Sequence, residues 1–122
     1  MKNGLRDSSE FKYVYAGGRR YNGSLMTAFV AKNDLEQHRL GITVSRKTAN
    51  RAIDRNRAKR ILRESFRLRA SLLEGLSWRY DWVLNGKRQL VTSCLRESIG
   101  ELEGIISKVE LDEKSSNRIE SK

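Results

Sequence analysis

Cysteine, histidine and proline are scarce in this chain of 122 residues, which holds one Cys, one His and no Pro. With Cys94 alone, an intramolecular disulfide is impossible and a Cys-based zinc cluster is excluded. His38 sits in the polar turn Asn33–His38 and reads as a surface residue. Neither a Ser-His-Asp nor a Cys-His arrangement can be built around it. Cys94, among apolar neighbours on a predicted helix, reads as a small core residue. No apolar run approaches the roughly 18 residues of a membrane helix. The N-terminus MKNGLRDSSEF has no apolar stretch of the kind a secretory signal needs. No glycine-rich phosphate loop of the Walker type is present. The acids are scattered rather than paired for two-metal chemistry. These absences predict one domain in a reducing, intracellular compartment, with no catalytic residues of its own.

Positive charge is plentiful, and it is concentrated. The formal net charge is +10, and hydrophobic residues make up only 38%. The stretch Ser45–Arg69, SRKTANRAIDRNRAKRILRESFRLR, carries eight Arg and two Lys against Asp54 and Glu64, a net +8. It reads as an amphipathic helix from about Asn50 to about Leu73, with Thr48 or Asn50 as its cap and Glu74-Gly75 as its end. Asn56, Lys59, Arg60, Arg63 and Arg67 recur at steps of three and four on one arc. Ala58, Ile61, Leu62, Ser65, Phe66, Leu72 and Leu73 share the opposite arc. A merely solvated helix mixes Glu with Lys, because like charges at these spacings cost a few tenths of a kcal/mol per pair. Crowded arginines instead suit phosphate oxygens, which their planar fork matches. The partner is a polyanion: nucleic acid or an anionic membrane surface.

The rest of the chain supplies the frame. Residues 1–9 form a polar arm. Ser8 or Ser9 caps a short helix through FKYVYA that ends at Gly17-Gly18, with Phe11 and Tyr15 as i,i+4 neighbours. Those rings pack on the core or stack unpaired bases. Arg19–Lys32 is strand material broken by a turn at Asn22-Gly23. Leu25, Thr27, Phe29 and Ala31 share one of its faces, and Met26, Ala28 and Val30 the other. Arg39–Arg46 is a further strand with Leu40, Ile42 and Val44 on one face. Its other face, Gly41, Thr43 and Ser45, is small and polar, open to a ligand. An antiparallel pair of these strands is the simplest arrangement. Trp78–Leu84 is another strand and Asn85-Gly86 a turn. Residues 90–109 form a last helix with Leu95, Ile99, Leu102 and Ile106 buried, weakened by Gly100 and Gly104. From 110 to 122 the chain reads as a disordered polar tail, leaving 1–109 as the domain.

The block RAIDRNRAKRILRESFR, with SRK before it, resembles the arginine-rich signature of the protein subunit of bacterial ribonuclease P. Phe11, Tyr15 and Gly18, the run Gly41–Lys47 and Asp81–Leu84 stand in that family's order. Asn85-Gly86-Lys87-Arg88 departs from the basic residue and proline expected after Leu84. The resemblance implies an α+β fold, a compact α/β sandwich with a mixed four-stranded sheet in the order α-β-β-β-α-β-α. It also implies a left-handed crossover through the basic helix, against the usual right-handed rule. It implies a cytoplasmic subunit whose partners are the catalytic RNA and precursor tRNA, with no membrane and no obligate protein partner. The RNA would carry the chemistry, using Mg²⁺ and no organic cofactor. Arg51, Arg55, Asn56, Arg57, Lys59, Arg60, Arg63 and Arg67 would face that RNA. Phe11, Tyr15, Phe29, Arg46 and Lys47 would line the cleft for the single-stranded 5′ leader. A ribosomal or other structural RNA-binding protein shares the basic helix but needs no such cleft.

Overall fold

The computed structural model describes residues 4–120; residues 1–3 of the predicted arm and 121–122 of the predicted tail lie outside it. The elements run α1 (Ser8–Gly17), β1 (Arg19–Asn22), β2 (Met26–Lys32), β3 (Arg39–Thr43), α2 (Ala52–Leu68), α3 (Ala70–Glu74), β4 (Tyr80–Gly86), α4 (Arg88–Val91) and α5 (Leu95–Glu120). The four strands form one mixed sheet in the order β1-β2-β4-β3. The expected antiparallel pairing of β2 with β3 is not made. β4 lies between them, antiparallel to β2 and parallel to β3. β4 is apolar on both faces, Trp82 and Leu84 on one and Val83 on the other, so it belongs in the middle.

The two faces of the sheet carry unequal layers. On one, α2 and α5 cover a large core that includes Met26, Ala28, Val30, Leu40, Trp82 and Leu84 from the strands. Ala58, Ile61, Leu62 and Phe66 come from α2, as the helical period demanded. On the other face α1 covers a small cluster of Leu5, Val14, Ala31 and Val83, with Phe11 and Phe29 packed against it. Gly41 makes that packing possible: a Cβ there would lie 2.6 Å from Phe11 Cζ.

Several expectations need correction. The helix start is Arg51, whose side chain makes no capping bond, rather than Thr48 or Asn50. Arg55 Nη1 donates instead to the carbonyls of Ala49 and Asn50, holding the chain that enters the helix. The helix does not run unbroken to Leu73. It breaks at Arg69, whose guanidinium is drawn 2.8 Å to Glu103 on α5. His38 is buried, 7% exposed, not a surface residue. Its Nδ1 accepts the Tyr80 N–H and the Trp82 indole N–H, each at 3.1 Å, so its Nε2 is the donor to the Leu73 carbonyl. Burial pushes its pKa below the ordinary value, against the bond to the Leu73 carbonyl, which favours the charged ring. Cys94 is exposed, not a core residue, because residues 92–94 lie between α4 and α5 rather than within one helix.

The predicted disordered tail is instead the last part of α5, which runs to Glu120. Its acids are anchors. Glu113 accepts the backbone N–H groups of Ser77 and Trp78 and the Tyr80 hydroxyl at 2.6–3.1 Å. Asp112 accepts the Tyr21 hydroxyl and pairs with Arg19. Burial, and then these carboxylates, raise both phenol pKa values. Further up α5, Glu101 accepts the N–H groups of Ser24, Leu25 and Met26, clamping the β1–β2 turn.

Candidate nucleic-acid interface

α2 turns its polar arc outward because its apolar arc is committed to the core. Asn56, Arg60 and Arg63 are exposed and Lys59 is half-buried. Among the described residues Lys59, Arg60 and Arg63 make no ion pair and no hydrogen bond, so their charges are uncompensated. Together with Asn56 and Ile53 they line one shallow hollow. The remaining expected contacts are less alike than the motif suggests. Arg57 donates to the carbonyls of Val91 (2.7 Å) and Ser93 (2.8 Å), tying α2 to the α4–α5 connection. Arg55 is occupied by the loop before the helix. Arg67 is paired with Glu64 one turn back, which lowers the Glu64 pKa and raises that of Arg67. Arg51 is exposed at the helix start. Of the eight expected residues, Arg51, Lys59, Arg60 and Arg63 carry charge with no partner among the described residues, and the neutral amide of Asn56 lies among them.

The second set comes together on the α1 face of the sheet. Tyr15 meets Phe29 edge to face, centroids 4.9 Å apart, and Arg20 lies 5.9 Å above the Phe29 ring. Tyr15 remains 39% exposed. Phe11 sits further along α1, against Gly41, in a hollow that Lys59 and Arg63 border from the α2 side. The edge of β3 thus joins the two candidate surfaces. Arg46 and Lys47 are exposed just beyond the end of β3. Glu10, next to Phe11, anchors the N-terminal end of α1. Its carboxylate accepts the N–H groups of Asp7 and Arg6 and pairs with Arg39, and these bonds hold its pKa down to about 2.

Local sequence reading missed a polar row beyond the aromatic rings. The strand registers align Thr43 with Asn85, Asn85 with Thr27 and Thr27 with Asn22, one residue per strand across the sheet. Asn85 Oδ1 accepts the Tyr15 hydroxyl (3.0 Å) and the Thr43 hydroxyl (2.5 Å). Thr27 donates to Asn22 Oδ1, which also accepts Lys87 Nζ. The faces of Thr27 and Thr43 were visible in sequence, the latter as the small polar side of β3, but not their alignment. The register that brings Asn85 beside Thr43 depends on a strand about forty residues away. The β4 end that departs from the expected pattern is thus paired strand, not turn, through Gly86.

Comparison with known proteins agrees with this architecture. The chain is 45% identical over 71 residues to the ribonuclease P protein component of Nitrosococcus oceani, a match spanning 58% of this chain and only 60% of that protein. It is 46% identical over 84 residues to the counterpart from Histophilus somni, covering 69% of this chain and 67% of that one. The fold superposes on the RNase P protein from Thermotoga maritima with a TM-score of 0.75 at 24% identity, over 87% of this chain and 96% of the other. A family model described as Ribonuclease P matches residues 1–110, and the chain belongs to that family.

Proposed function

We propose that this chain is the protein subunit of a cytoplasmic ribonuclease P, binding the catalytic RNA through α2 and the 5′ leader of precursor tRNA across the α1 face. The observation that carries this is the pairing, in a member of that family, of two unlike surfaces joined at β3. The uncompensated arc of Lys59, Arg60 and Arg63 suits the closely spaced phosphates of folded RNA. The half-open rings of Tyr15 and Phe29 over a polar sheet suit an extended single strand. A structural RNA-binding protein would need the first surface and not the second.

In this reading Mg²⁺ belongs to the RNA subunit, which supplies the hydrolytic chemistry. The protein neutralises phosphates, so RNA and substrate approach each other at lower Mg²⁺, and it holds the leader extended. The test is cleavage of precursor tRNA by a bacterial ribonuclease P RNA at low Mg²⁺, with and without this protein. Strong stimulation with a mature 5′ end is expected, and no cleavage by the protein alone. A folded, RNA-binding protein that leaves the rate unchanged sinks the proposal.

A further inference from the structure

Asn85 holds the centre of the polar row. Its carbonyl oxygen is saturated by two hydroxyl donors, Tyr15 at 3.0 Å and Thr43 at 2.5 Å. Its amide nitrogen has no hydrogen-bond partner among the described residues, and the residue is only half-buried. Two N–H donors therefore remain unused. They lie beside the hydroxyl of Tyr15, an exposed ring whose tilt is fixed by Phe29 and by that hydroxyl bond. A base resting on Tyr15 brings its edge to the Asn85 amide.

We propose that Asn85 reads the exocyclic group of an unpaired base in this cleft and favours a keto base, such as uridine, over an amino base, such as cytidine. This rests on the cleft being the single-strand site. Uridine and cytidine stack alike but differ at C4, where uridine presents a carbonyl acceptor and cytidine an amino donor. The spare N–H of Asn85 pairs with the first and meets a second donor in the other. One such bond is worth a roughly three- to tenfold difference in affinity. Thr43 and Tyr15 act as positioning residues, since they fix which end of the amide points outward.

The experiment measures binding of end-labelled octauridylate and octacytidylate to the full-length protein by fluorescence anisotropy. Wild type should bind octauridylate roughly threefold or more tightly. Asn85→Ala should equalise the two. Asn85→Asp keeps an acceptor for both hydroxyls but removes the donors, so it should favour octacytidylate, a reversal that general loss of structure cannot produce. Equal binding by wild type, a cytidine preference, or an unchanged preference in Asn85→Ala each overturns the inference. The probe needs no RNA subunit. A base preference that depends on Asn85, in a protein that fails to stimulate cleavage, would leave base reading intact and remove the subunit role.

Discussion

The two faces of the sheet solve different problems. The α2/α5 face is thick, with helices packed on Trp82, Leu84 and Met26, and it offers the outside world only the outer sides of those helices. The α1 face is thin, with four buried side chains and two half-buried rings, and it leaves one end of the sheet uncovered. A deep core fixes the basic arc as a rigid object. A shallow one leaves backbone and polar side chains within reach of a ligand. On the proposed function, binding by charge and binding by shape fall one on each side of the same four strands.

Substitutions can break that separation. The largest effect should come from the thick side: Leu62→Ala, at a fully buried position, should lower unfolding free energy by about 3 kcal/mol in denaturant titrations. Arg57→Ala tests whether a motif arginine belongs to the core. Loss of its bonds to the Val91 and Ser93 carbonyls should destabilise by about 2 kcal/mol, beyond any effect on RNA. On the thin side, Phe29→Ala should reduce the affinity advantage of a leader-bearing over a leaderless precursor by about tenfold, roughly one base stack. An equal loss for both substrates would show that Phe29 is only packing.

Acid should weaken the thick side selectively. His38 is neutral in the fold, with Nδ1 already accepting two N–H groups, while the unfolded residue titrates near about 6.5. Below that pH the unfolded chain binds the extra proton, so stability falls as pH falls. The charges near the ring are Arg79, which opposes protonation, and Glu74 and Glu113, which favour it. A wild-type protein should lose stability from pH 6.5 to 5 more steeply than His38→Gln, with Trp82 fluorescence reporting the change. The smallest effect is on the basic arc. With about five phosphates engaged, the log–log salt slope should be about 4, and Arg60→Ala should lower it by about 1. Its unfolding free energy should stay within about 0.5 kcal/mol.

How much of this was legible follows the same division. The basic arc could be read because a helix places residues three and four apart together, so Lys59, Arg60 and Arg63 declare themselves. The aromatic pair was found through resemblance, and the polar row was not found at all. Asn22, Thr27, Thr43 and Asn85 become neighbours only through the registers of four strands. His38 was misjudged because its partners, Leu73, Tyr80 and Trp82, lie at least 35 positions away. The end of α5 looked like a solvated tail because acids count as polar until tyrosines and backbone amides are found to be holding them.

The clamp on the β1–β2 turn sets where this protein tolerates alteration. Asn22-Gly23 is the kind of tight turn at which tags, labels and new termini are commonly placed. Here Glu101 draws the three amides after Gly23 onto one carboxylate, and a Cβ on Gly23 would fall 2.4 Å from that group. An insertion there would detach the hairpin from α5, whereas the exposed Asp34–Gln37 loop offers a safer site for a reporter.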